Sequence, residues 1–141
     1  GQTRYRQVIS SIKEACLCAF RSGLEGVSIH GEVSSMHIPA ALNYLAFSHF
    51  IHWPEDSLRR FGRKTLGQVF GAEEEGETFA EHLAYLDAGA LSDAMKKDIQ
   101  RRCKAYSDLV YRGQDLLKFR FWNWLHRQSL GEGDSQTVNI F

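Results

Sequence analysis

The sequence predicts a mainly α fold of five or six helices with one short strand. Three observations carry this. Apolar residues recur at three- and four-residue steps along most of the chain. Only two prolines occur, Pro39 and Pro54, and both stand where a segment should begin, a place a helix tolerates. A single stretch alternates instead: Val27 and Ile29 against Ser28 and His30, with glycine on both sides.

Taken in order, the first helix covers about Thr3 to Arg21, with Val8, Ile9, Ile12, Ala15, Cys16, Ala19 and Phe20 as its stripe. Ser22-Gly23 ends it. The strand follows over 26–33, and this sequence offers it no partner strand, although its backbone groups must be satisfied somewhere. The loop Ser34-Ser35-Met36-His37-Ile38 leads to Pro39. From Ala40 to Trp53 the residues are apolar over most of a helix circumference, so this helix should be buried on several sides. Pro54-Glu55-Asp56 opens the next helix, with Asp56 or Ser57 as cap. Its inner face is Leu58, Phe61, Leu66, Val69 and Phe70, and Gly71 closes it. The run Glu73-Glu74-Glu75-Gly76-Glu77 reads as a solvated acidic turn at a helix start, leading to Phe79, Leu83 and Leu86 and an end at Gly89. A last helix, capped by Ser92 or Asp93, runs to about Ser129 along one face from Met95 to Trp124. Gly113 is its weak point.

Composition narrows the function. The 141 residues carry 17 Lys+Arg and 17 Asp+Glu, so net charge gives no footprint of nucleic-acid binding. No stretch approaches the roughly 18 uninterrupted apolar residues of a membrane span. Gly1 to Arg6 is polar and basic, without the apolar run of a secretory signal. A first residue other than Met suggests a cleaved tag or an excised fragment. The three cysteines, Cys16, Cys18 and Cys103, are an odd number and read as buried free thiols rather than a disulfide framework.

Polar density is highest around the strand end, at His30, Glu32, Ser34, Ser35 and His37. Ligand sites in α/β folds gather at the carboxyl ends of strands. His30 and Glu32 are two apart, so a regular strand projects them to one side, where the carboxylate serves as acid, base or sugar-hydroxyl acceptor. The bland alternative is a paired Glu32 and a hydrogen-bonded structural imidazole. His49 and His52 share a helix face, but no His-x-x-x-His or His-Glu-x-x-His spacing supports a metal, and no phosphate loop is present. No metal or cofactor is expected. Lys118 to Arg127 interleaves aromatic and basic residues, which reads as core or partner packing under a basic outer face.

The stretch Gly26-Val27-Ser28-Ile29-His30-Gly31-Glu32-Val33-Ser34-Ser35, then Ala41-Leu42-Asn43-Tyr44-Leu45-Ala46-Phe47 and Trp53-Pro54-Glu55-Asp56-Ser57-Leu58-Arg59-Arg60-Phe61-Gly62, resembles the last barrel unit of certain (β/α)8 glycoside hydrolases and hydrolase-like proteins. The likeness spans roughly residues 5 to 90. It implies the end of a TIM-barrel-type protein, with residues 1–71 as a helix-strand-helix unit plus the following helix. Residues 72–141 would be an α-helical extension, the whole reading alternatively as one domain. A complete barrel needs about 200 residues or more, so the chain would be a fragment. Glycoside hydrolysis needs two carboxylates, and only one strand-end acid is visible, so the fragment would not be active by itself. The resemblance makes His30, Glu32, Ser34 and His37 rim contacts to carbohydrate, with Trp53 or Trp122 as sugar-stacking aromatics. The expected partners are then a carbohydrate substrate or the missing N-terminal barrel. The rival expectation is a self-contained helical protein-interaction module, with a homo-oligomer among its options.

Overall fold

The computed structural model describes residues 9–23, 37–113 and 116–131, and there the chain is mainly helical. Two compact units are formed, Gly1–Ser57 and Leu58–Phe141. The expected strand over 26–33 lies outside the described residues, and so do His30, Glu32 and Ser34. Among the described residues there is no strand, and no helix is long and apolar enough to cross a membrane.

In the first unit, α1 spans Ile9–Arg21 and buries Ile9, Ile12, Cys16 and Ala19, whereas Ala15 and Phe20, expected in the same stripe, are exposed. Gly23, at φ 72°, ends the turn that follows. Cys16 and Cys18 fall on different faces, so Cys16 is buried and Cys18 is exposed, against the expectation of three buried thiols. Helix α2 spans Ile38–His52. His37 caps it: its Nδ1 accepts the Ala40 N–H at 3.2 Å, and Pro39 fills the first turn, where no amide donor is needed. One face of α2, with Leu42, Ala46 and Phe50, is fully buried, and α1 packs on α2.

In the second unit, α3 (Leu58–Arg60) runs into a π-helical segment, Phe61–Leu66, and then into α4 (Gly67–Phe70), closed by Gly71 at φ 77°. Helix α5 (Glu73–Asp87) doubles back along them. The π winding has a purpose readable from the glycines. In an α-helix, residues five apart point about 140° away from each other. Here the Gly67 N–H bonds to the Gly62 carbonyl five residues earlier, so the two glycines come close to one face. Both meet Gly76 of α5. A Cβ on Gly62 would stand 2.7 Å from the Ala80 Cβ and 2.8 Å from the Gly76 carbonyl oxygen, and one on Gly67 would stand 3.0 Å from the Glu73 Cα. A Cβ on Gly76 would overlap the Gly62 oxygen and the Gly67 nitrogen. Backbone therefore lies on backbone. The stretch over 58–70 belongs to the second compact unit, Leu58–Phe141.

Ser92 caps α6 (Asp93–Tyr111), its Oγ accepting the Met95 N–H at 3.2 Å. The single helix expected over 92–129 is two. Helix α6 stops at Tyr111, Gly113 turns at φ 79°, and α7 (Leu116–Ser129) folds back onto α6. An unbroken helix of that length would bury its stripe against nothing of its own, whereas the hairpin lets each half cover the other. The core joins Phe70, Phe79, Phe121 and Trp122. The Phe79 and Trp122 rings lie edge to face at 5.1 Å, and Phe70 and Phe121 at 5.5 Å. Trp122 and Leu125 lie inside, as the packing reading of the 118–127 stretch expects.

Candidate functional site

Of the six residues offered from the sequence for carbohydrate contact, His37, Trp53 and Trp122 are described; Trp122 is fully buried, with no face free to stack on a sugar, and His37 and Trp53 are not brought together. His37 caps the start of α2 and Trp53 follows its last residue, so fifteen helical residues separate them, about 22 Å of helix. The His37 Nδ1 is taken up by the cap. Trp53 is 57% exposed, its ring leaning on His49 at 5.3 Å and His52 at 5.8 Å. Beneath it, buried His49 bonds through Nε2 to the Asp56 carboxylate at 2.9 Å. Asp56 thus ties the segment after α2 back to α2, and the next helix begins two residues later, at Leu58.

The outer face of α2 is the first candidate surface. Its fifteen residues include no Asp, Glu, Lys or Arg. Tyr44 and Ile51, seven residues apart and so on one face, are 50% and 37% exposed. A solvated helix face ordinarily carries charge. This one carries the Tyr44 phenol, the Ile51 side chain and the His52 imidazole, with the Trp53 indole just past its end.

The second candidate is a polar cluster in the other unit, built from α5, α6 and α7. His82 of α5 bonds through Nε2 to the Asp98 Oδ2 of α6 at 2.8 Å. The Arg102 Nε donates to the same oxygen at 2.9 Å, and its Nη1 reaches Glu75 Oε2 of α5 at 3.0 Å. The Tyr106 hydroxyl donates to the other Glu75 oxygen, and Arg101 also donates to Asp98. The Arg102 guanidinium lies 5.3 Å from the centre of the Trp122 ring of α7, a cation–π contact.

The electrostatics follow from these partners. Burial opposes ionisation of Asp98, but hydrogen bonds from His82, Arg102 and Arg101 prevail and hold its carboxyl at about 2. Burial pushes the His82 imidazole below its usual range, which the Asp98 carboxylate only partly offsets. Asp98 is therefore an ionised acceptor, and His82 is a neutral ring with its proton on Nε2. Burial and Glu75 together raise the Tyr106 hydroxyl well above its usual range, so it stays protonated. The one nearby thiol, Cys103, is raised by burial and turns toward the Asn123 Oδ1 at 3.7 Å. An Asp–His pair is half of a proton-transfer device, but no hydroxyl or thiol of the described residues is hydrogen-bonded to the His82 Nδ1. The cluster ties helices together.

Sequence reasoning missed this cluster and read the acidic turn in part: it opens α5 with Glu73 and Glu74 exposed, as expected, but its Glu73, Glu75 and Glu77 carboxylates are paired. Glu73 pairs with Arg63 and Lys64, Glu77 with Arg59 and Arg63, and Glu75 with Arg102 and Tyr106. The available signal was spacing. Glu73 and Glu77 lie four apart at the start of α5, matching the basic run 59–64, while Asp98 and Arg102 lie four apart on α6. Among the described residues no group of three or more His, Cys, Asp or Glu is placed to hold a metal ion. Set against protein-family models, curated proteins and solved structures, the chain matches none.

Proposed function

We propose that this chain is a helical protein-interaction module whose outer α2 face joins a second copy of itself. The observation that supports this is a fifteen-residue helix without one Asp, Glu, Lys or Arg, half of whose outer Tyr44 stands in solvent. A face without Asp, Glu, Lys or Arg offers a charged partner no salt bridge, whereas a second copy brings it the same surface about a two-fold axis. One helix face is small beside the roughly 800 Å² each partner gives to a standard interface, so the association is weak, micromolar or above. Analytical ultracentrifugation across a concentration series tests it. The intact chain should pass from monomer to dimer, and the Tyr44→Glu, Ile51→Glu double variant should stay monomeric with unchanged helicity. A chain that is monomeric at millimolar concentration, or a variant that still dimerises, overturns the reading.

The exposure of Trp53 supports a second reading, contact with carbohydrate, in which the indole stacks on a sugar ring and the chain serves a (β/α)8 hydrolase-like protein. Titrating soluble glycans against tryptophan emission tests it, with Trp53→Ala as the control. No saturable change, or one that persists in the variant, removes Trp53 from carbohydrate binding.

A further inference from the structure

Two buried polar atoms of the second unit have no hydrogen-bond partner among the described residues: the Nδ1 of His82 and the Nε1 of Trp122. Both side chains lie in the interior, His82 at 6% exposure and Trp122 at 0%. Their rings are neighbours, with centroids 6.1 Å apart and planes at 75°. Buried polar groups are satisfied in the great majority of cases, and each unsatisfied one costs roughly 1–3 kcal/mol. Two such atoms on neighbouring rings call for one explanation.

Their chemistry is complementary. Asp98 is an acceptor, so the His82 proton sits on Nε2 and Nδ1 presents a bare lone pair. The indole Nε1–H of Trp122 is a donor and nothing else. The other polar groups around the pair are engaged: Arg102 with Asp98 and Glu75, Tyr106 with Glu75, Arg101 with Asp98. What fits is a molecule that gives one hydrogen bond and takes another, small enough for a close-packed interior.

We infer that one water molecule is held between His82 and Trp122, accepting from the indole Nε1–H and donating to the imidazole Nδ1. The site joins α5 to α7, while the other edge of the same imidazole joins α5 to α6 through Asp98. His82 then connects all three helices, and the bound water is the link to the third.

The test is NMR on the intact chain labelled with nitrogen-15 in His and Trp. Expected are a cross-peak between the Trp122 indole proton and a long-lived water, and a His82 protonated on Nε2 only. The measurement is repeated in Tyr106→Phe, because the Tyr106 ring lies 6.3 Å from Trp122 and its hydroxyl proton could relay magnetisation from bulk water. The cross-peak should survive. Three results overturn the inference: a nitrogen–nitrogen coupling across a direct Trp122-to-His82 bond, a cross-peak lost with the Tyr106 hydroxyl, or no water cross-peak at all.

Discussion

Gly76→Ala puts the glycine contact between α5 and the π-helical segment to the test. The new Cβ would overlap the Gly62 oxygen and the Gly67 nitrogen, and would stand 2.8 Å from the Gly67 Cα. All three obstacles are backbone, so no side chain can swing aside and the helices must separate. Overpacking of a core costs about 1–3 kcal/mol, and backbone obstacles place this case at the upper end, near 3. Alanine returns about 1 kcal/mol of helix propensity. The net loss is about 2 kcal/mol, or about 1 M in the urea midpoint of a domain this size. Gly62→Ala meets the Ala80 Cβ at 2.7 Å and the Gly76 oxygen at 2.8 Å, and should lose about 1 kcal/mol. Gly67→Ala meets the Glu73 Cα at 3.0 Å and the Ala72 oxygen at 3.4 Å, and should be close to neutral once propensity is counted. The assay is urea unfolding followed by tryptophan emission in a Trp53→Phe background, where the signal comes from Trp122 and Trp124 of the second unit. The ranking is the evidence. If Gly76→Ala is neutral or stabilising, or if Gly67→Ala costs more, the helices do not meet through their glycines.

The polar cluster and the hairpin make four further predictions. Asp98 is held at about 2 in the folded chain, below its unfolded value, so its contribution is complete above about pH 4 and is lost as pH falls toward 2. Allowing for its partial exposure, that is about 1–2 kcal/mol, and chemical denaturation of Asp98→Asn from pH 5 to 2 should show a correspondingly shallower acid limb. His82 is depressed below its ordinary value near 6.5, so the unfolded chain takes up this proton first, and stability should begin to fall below pH 6.5; His82→Gln should remove that limb. Arg102→Met takes one charged donor from each of the Asp98 and Glu75 carboxylates and loses the contact over Trp122, and should cost about 2 kcal/mol by urea titration, more than Arg101→Met at its exposed neighbour. Gly113→Ala meets no atom within 4 Å, yet its φ of 79° should cost about 1 kcal/mol in thermal unfolding.

Much of the fold was legible because its signals are local. Most of the α1 stripe, the Ser92 cap and the glycine stops at Gly71 and Gly89 each depend on a few neighbouring residues, and each is found where periodicity and capping chemistry put it. The hairpin was not legible as a break. The apolar face from Met95 to Trp124 keeps helical phase across Gly113, so periodicity alone reads one helix. Only burial decides, since two shorter helices cover each other's stripes and one long helix cannot.

The polar sites were hidden by the same logic at longer range. Glu75 meets Arg102 across 27 residues and Tyr106 across 31, and His82 meets Asp98 across 16. Each of these residues alone resembles an ordinary surface charge or a lone histidine. What makes them a cluster is the turn after α5, which folds α6 back so that Asp98 and Arg102, one helical turn apart, face His82 and Glu75, two turns apart. A reading confined to local spacing assigned the acids to solvent, because an acidic first turn is favourable at any helix N-terminus. The pairing instead makes those acids structural, with Glu73 and Glu77 flanking Gly76 at the close glycine contact and Glu75 turned toward α6. Charge in this unit holds helices together, whereas the α2 face without Asp, Glu, Lys or Arg is one whose composition nothing among the described residues accounts for.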